Sequence, residues 1–187
     1  MKWRMVPELD LDVAKNSKCL LLGSGSLGCQ IARNLLSWGF ENFTFVDNGS
    51  VAFSNPVRQC LFTFQDSVDE RPKAECAAER LKEIYPSIET KGVRMCIPMP
   101  GHSANTEEAK KEAISEYEKL DQLIQEHDII FLITDSRESR WLPTVLSQLH
   151  NKICMTVALG FESFLAMRHG LSEALHDKSL NGENRLG

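Results

Sequence analysis

The six cysteines, at positions 19, 29, 60, 76, 96 and 154, include no two that stand three apart. The chain therefore lacks the C-x-x-C pair of a zinc ribbon or a dithiol redox motif. No stretch approaches the roughly 18 consecutive apolar residues of a membrane-spanning helix, and the opening MKWRMVPELDLD turns acidic too soon for a secretory signal. Basic residues are not in excess: 21 Lys and Arg face 26 Asp and Glu, a formal charge of −5 that argues against a nucleic-acid partner. The acidic residues are scattered and form no tail, and there is neither an internal repeat nor a low-complexity linker. Cys19, Cys96 and Cys154 sit within apolar runs and read as small hydrophobes in buried strands. Together these absences point to a reduced, cytoplasmic protein with no membrane and no nucleic acid among its partners. At 187 residues, 42% hydrophobic and 25% charged, the chain suits one globular domain.

What is present is alternation. Lys18 to Leu22 is a short apolar run stopped by Gly23, and it reads as a buried strand. Leu27, Ile31, Ala32, Leu35 and Leu36 then recur at helical spacing from Ser26 to Trp38. Asn42 to Asp47 reads as a second strand, Arg71 to Ile84 as a helix opened by Pro72, and Val93 to Ile97 as a third strand. Thr106 to His127 predicts a long helix whose inward stripe is Ala109, Ala113, Ile114, Tyr117, Leu120 and Ile124. Asp128 to Asp135 is apolar almost throughout, as a strand covered on both faces should be. A helix over Ser139 to Leu149 and a strand over Ile153 to Leu159 follow. Such a pattern implies an α/β fold with a doubly wound, mostly parallel, Rossmann-like sheet, in which ligands sit at the carboxyl ends of the strands. The glycine turn, Asp47 and Asp135 all fall on that rim.

Gly23-x-Gly25-x-x-Gly28 between a strand and a helix suits a nucleotide, and Asp47, nineteen residues on, suits ribose hydroxyls. NAD, FAD and S-adenosylmethionine sites share these two features with ATP sites. The next stretch, Ser54-Asn55-Pro56-Val57-Arg58-Gln59, has no evident use in a dinucleotide enzyme. It does suit a triphosphate: Arg58 offers a fork of donors, Asn55 a neutral hydrogen bond, and Lys73 a second cation. Taken singly, Arg58 reads equally as a surface salt bridge and Lys73 as a solvated helix residue.

GSGSLGCQIARNL, FVDN, SNPVRQ, KAECAAERL and TDSRESRWLP resemble the adenylation domain of the ubiquitin-like-modifier activating enzymes, a family related to the adenylyltransferases of thiamine and molybdopterin synthesis. WRMVPELDLD, IPMPGH and ALGFESFLAMRHGL bring the likeness closer to the autophagy branch of that family. The match implies an adenylation domain over residues 1–171 (its N-terminal part) and a divergent or disordered tail over 172–187. The resemblance implies that ATP and Mg²⁺ bind here, and that a modifier's C-terminal glycine carboxylate attacks the α-phosphate of ATP, a cysteine then taking the acyl group as a thioester. Gly23, Gly25, Gly28, Asp47, Asn55, Arg58, Gln59 and Lys73 would bind the nucleotide, Arg58 would also act in catalysis, and Asp135 would hold the metal. The implied partners are autophagy-related proteins 8 and 12, conjugating enzymes, and a second copy of the chain as a homodimer.

Two further positions stay open: Arg140 matches an acid-then-arginine spacing but suits a salt bridge to Glu138 or Glu162, and His169 reads as a hydrogen-bonded structural histidine. The family's zinc-binding pairs and thioester cysteine have no counterpart among the six cysteines. Cys29 and Cys60, beside the nucleotide motifs, are the two candidate exceptions. A non-catalytic nucleotide- or partner-binding module is therefore the alternative to an adenylating enzyme, with a Rossmann oxidoreductase behind both.

Overall fold

The structure, a computed structural model, describes residues 6, 10–99 and 106–170. Its elements run α1 (Leu11–Asn16), β1 (Lys18–Leu22), α2 (Ser26–Ser37), β2 (Asn42–Asp47), α3 (Phe64–Val68), α4 (Lys73–Ile84), β3 (Glu89–Arg94), α5 (Glu107–Glu126), β4 (Ile129–Leu132), α6 (Glu138–Leu149), β5 (Ile153–Leu159) and β6 (Phe164–Arg168). The strands form one six-stranded sheet in the order β3-β2-β1-β4-β5-β6. The first five are parallel, and β6 turns back antiparallel on β5. The expected doubly wound, mostly parallel sheet is borne out.

Side chains leave a strand on alternate faces, and both faces of β1 are buried. Cys19 and Leu21 pack with Phe43, Phe45 and Phe131 beneath α2 and α4. Leu20 and Leu22 pack with Val46, Ile130 and Leu132 beneath α5 and α6. The two winding directions diverge between β1 and β4, which opens a crevice at their carboxyl ends.

Three expectations need correcting. The third strand starts earlier than Val93 and ends at Arg94, because it pairs with β2 as an edge strand, Glu89 opposite Asn42 through Arg94 opposite Asp47. Edge strands tolerate a polar sequence, so apolar periodicity missed its first half. Gly92 is needed there: a Cβ would stand 2.4 Å from the Cα of Glu75, so the glycine lets α4 close on the sheet. The inward stripe of α5 is shorter than read. Leu120, Leu123 and Ile124 are buried, whereas Ile114 and Tyr117 are exposed where the helix runs past the core. Finally, Cys96 lies beyond β3 and is exposed, not buried in a strand. The 172–187 tail lies outside the described residues.

Elements missed by periodicity are α1, α3 and β6. A cap fixes each of the two helices: Asp10 accepts from the N–H groups of Asp12 and Val13, and Thr63 with Asp66 forms a capping box. No helix among the described residues is long and apolar enough to cross a membrane.

Candidate functional site

A cavity of about 670 Å³ occupies the crevice at the carboxyl ends of β1, β2 and β4. Gly23, Gly25, Asp47, Arg58, Gln59, Lys73 and Asp135 all line it. Residues up to 112 positions apart in sequence, Gly23 and Asp135 at the extremes, thus meet at one opening.

The glycine turn forms its floor. Gly23 has φ +118°, a conformation strained for any residue with a Cβ, and such a Cβ would lie 2.9 Å from the Ile133 carbonyl oxygen. Gly25 is the N-cap of α2 and has open space around it. Gly28 does not line the cavity. Its Cβ would meet the Gly23 carbonyl oxygen at 2.2 Å, so it serves the close packing of α2 on the turn.

Asp47 ends β2 and braces both neighbouring loops. One carboxylate oxygen accepts from Ser24 N–H at 2.8 Å and the other from Gly49 N–H at 2.8 Å. Each oxygen keeps a further lone pair for a hydroxyl group.

The 50–72 segment carries the cations. Asn55 is buried off the cavity, its side-chain oxygen accepting from Ala52 N–H at 3.0 Å. Its carbonyl accepts from the N–H groups of Arg58 and Gln59, and that turn presents both to the cavity. Arg58 donates from Nη1 to Ser26 Oγ at 2.7 Å. Gln59 is 2% exposed, and its side-chain oxygen has no partner among the described residues. A buried orphan acceptor is costly.

Lys73 is the first residue of α4, where a cation opposes the helix dipole. An anion held between Lys73 and Arg58 removes that conflict. The segment closes at its base through Val51 N–H to the Arg71 carbonyl and Lys73 N–H to the Gly49 carbonyl.

Asp66 locks this segment to α4. Burial opposes its ionisation, but hydrogen bonds from Arg80, Thr63 and Arg71 outweigh that and hold the carboxyl well below the usual range. Arg71 lies at 3.1 Å and Arg80 at 2.8 Å from the same oxygen.

Asp135 is exposed just after β4. Arg140 makes no salt bridge to Glu138 or Glu162 within the described residues; its guanidinium donates to the Thr134 carbonyl. His169 hydrogen-bonds Thr156 Oγ1 at 2.8 Å, as a structural histidine does, and is not part of the cavity wall. Sequence reasoning missed Ser26 and the wall of Met95, Cys96, Ile97 and Met99. Ser26 occupies a variable place inside the glycine motif, and the wall follows a strand whose start was set too late.

Among the cysteines, burial pushes the Cys19 and Cys29 thiols up to about 12 and Cys76 to about 11. Cys29 therefore drops out as a nucleophile despite its place beside the glycine turn. Cys60 and Cys96 are the two exposed thiols.

A glycine turn, two carboxylates and two cations around one cavity at the carboxyl rim of a doubly wound sheet are the arrangement of a Rossmann-like adenylation fold. The chain belongs to the ThiF family, whose profile matches residues 1–185. It is 54% identical over 178 residues to a ubiquitin-like modifier-activating enzyme ATG7 of Yarrowia lipolytica, covering 95% of this chain and 29% of that protein. It is 52% identical over 180 residues to the ATG7 of Saccharomyces cerevisiae strain S288c, covering 96% and 28%. The chain thus spans less than a third of the length of these relatives. In fold it resembles the E. coli tRNA N6-threonylcarbamoyladenosine dehydratase TcdA in complex with AMP (TM-score 0.65, 18% identity, 82% of this chain and 55% of that one). It also resembles E. coli MccB with ATP (TM-score 0.62, 19% identity, 95% and 50%).

Proposed function

We propose that this chain is the ATP-binding part of an enzyme that activates ubiquitin-like modifiers of autophagy. One observation carries the reading: Arg58, Lys73, Asp47 and Asp135 line a single cavity together with Gly23 and Gly25 of the glycine turn. In the proposed reaction the modifier's terminal carboxylate oxygen bonds to the α-phosphorus of ATP. The bond to the bridging oxygen breaks, and pyrophosphate leaves. Arg58 and Lys73 offset the charge that builds on the departing group, Gly23 and Gly25 let the backbone approach the nucleotide, and Asp47 accepts from the ribose.

The residues fit Mg²⁺ as its ligand chemistry requires. No group of three acids, histidines or cysteines placed to cage a metal exists among the described residues. Mg²⁺ needs no such cage, since one or two carboxylates with phosphate oxygens and water suffice; Asp135 is the carboxylate. The proposed partners are the likeness-implied autophagy-related proteins 8 and 12, conjugating enzymes, and a second copy in a homodimer. The proposed location is the cytoplasm. The exposed edge strand β6, with Phe164, Leu165 and Met167 open to solvent, supports association.

Calorimetry with Mg·ATP and with NAD tests the cofactor: ATP should bind and NAD should not. Modifier-dependent exchange between pyrophosphate and ATP tests the chemistry. Binding of ATP without exchange would favour a non-catalytic nucleotide-binding module.

A further inference from the structure

Asp135 takes no hydrogen bond from any described residue, yet the chain on both sides of it is pinned. Arg140, in the first turn of α6, donates from Nε and Nη2 to the carbonyl oxygen of Thr134, at 3.1 and 2.5 Å. Thr134 Oγ1 accepts from Ser139 Oγ at 2.6 Å. On the far side, Ser139 N–H donates to Ser136 Oγ at 3.3 Å and Ser139 Oγ accepts from Ser136 Oγ at 3.0 Å. We propose that Arg140 is a positioning residue for the metal-binding carboxylate, acting through the peptide plane between Thr134 and Asp135; this rests on the proposed Mg·ATP site.

The physical reason is the planarity of the peptide. The Thr134 carbonyl shares a rigid plane with the N and Cα of Asp135. Fixing that oxygen from two directions fixes the axis about which the Asp135 backbone can turn. A guanidinium is suited to this, because its donors form a rigid fork and two of them meet one acceptor. Gly23 lets the glycine turn approach the preceding peptide, since a Cβ there would stand 2.9 Å from the Ile133 oxygen and 3.3 Å from Thr134 N. The Cα of a carboxylate with no partner of its own is then held in place, and its oxygens stay open to a cation that also takes phosphate oxygens. Partners behind a metal ligand commonly set its affinity, and losing one costs about 10- to 100-fold.

The test titrates Mg²⁺ against a non-hydrolysable ATP analogue by calorimetry, with AMP in chelator as the metal-free control, on the full 187-residue chain. Arg140→Gln should raise the half-saturating Mg²⁺ concentration about tenfold and leave AMP affinity within about twofold. Arg140→Lys keeps one donor and should fall between; it also carries the comparison should the Gln variant melt early. In an Asp135→Asn background, Arg140→Gln should change the Mg²⁺ dependence no further, the signature of two residues acting as one. Equal losses for AMP and Mg·ATP would overturn the inference and make Arg140 a direct nucleotide contact. Additive effects in the double variant, or an unchanged Mg²⁺ midpoint, would also overturn it. Wild type that binds no ATP would instead sink the proposed function, and the inference with it.

Discussion

Arg58 Nη1 donates to Ser26 Oγ across 2.7 Å, joining the 50–72 segment to the first turn of α2. The two residues are 32 positions apart in sequence, and both line the cavity. The guanidinium is thereby oriented over the glycine turn before any phosphate arrives. Arg58→Ala should slow pyrophosphate exchange on the order of 100-fold, the scale for losing one aligned donor at developing charge, with a smaller loss in ATP affinity. Ser26→Ala should lower exchange by less than tenfold, roughly the worth of one neutral hydrogen bond. Equal losses in rate and affinity for Arg58→Ala would make its role plain binding.

Asp47 braces two loops and is the proposed ribose acceptor, so its removal should register in two measurements. Asp47→Ala should weaken ATP by about 1–3 kcal/mol through lost charge-assisted hydrogen bonds. It should also lower the melting temperature, because Ser24 N–H and Gly49 N–H lose their acceptor. Unchanged ATP affinity in calorimetry would remove Asp47 from the site.

The three motif glycines should separate by role. Gly28→Ala places a methyl group 2.2 Å from the Gly23 carbonyl oxygen, and should cost about 3 kcal/mol or more of stability. Gly25→Ala meets nothing within 4 Å, so denaturant midpoints should hardly move while nucleotide affinity falls. A stable Gly28→Ala protein with native melting would contradict the packing account.

Acid should find two weak points. Asp66 has its carboxyl held low, so its contribution is present above the unfolded value near 4 and is lost as pH falls towards the folded one. Asp66→Asn leaves Arg71 and Arg80 facing a neutral amide and should cost about 3 kcal/mol at pH 7. His127 is buried neutral, its Nδ1 2.6 Å from the Leu123 carbonyl and Nε2 2.7 Å from Thr44 Oγ1. A carbonyl only accepts, so Nδ1 carries the proton and Nε2 accepts from the hydroxyl. Burial first of all lowers its pKa, so the folded state loses stability as pH drops below about 6.5. His127→Gln should lessen the fall in melting temperature as pH drops below about 6.5, where the unfolded imidazole takes up its proton.

No thioester should form on this chain. Burial raises the thiols of Cys19, Cys29, Cys76 and Cys154, and Cys96 is raised by burial and by Glu116. A thiolate is the attacking species. Incubation with ATP, Mg²⁺ and a glycine-terminated modifier should leave no thiol-sensitive band on a non-reducing gel. Should such a band be seen, Cys60→Ala and Cys96→Ala would identify the thiol.

The parts of the fold legible in the sequence were those whose burial is two-sided. β1, β2 and β4 announce themselves because every residue from Cys19 to Leu22, and from Ile130 to Leu132, is buried. β6 carries no such pattern, since all five of its residues are exposed. The motifs picked out residues that the fold gathers at one cavity, but could not separate those that touch it from those that shape it. Gly28 and Asn55 stand within three positions of Gly25 and Arg58, yet face inward to brace the turns. Spacing along a chain reports the loop, not the direction of each side chain.

The hairpin of β5 and β6 gives the molecule an uneven resistance to opening. β6 pairs on one side only, and its side chains are exposed on both faces. Little apolar burial holds it, so its amide hydrogens should exchange first, while those of β1 should persist to global unfolding. Ala158 and Leu159 of β5, its pairing partners, form one wall of the cavity. Peeling of β6 therefore exposes the wall that a nucleotide would touch, and occupancy of the cavity should slow exchange at an edge that the ligand itself never reaches.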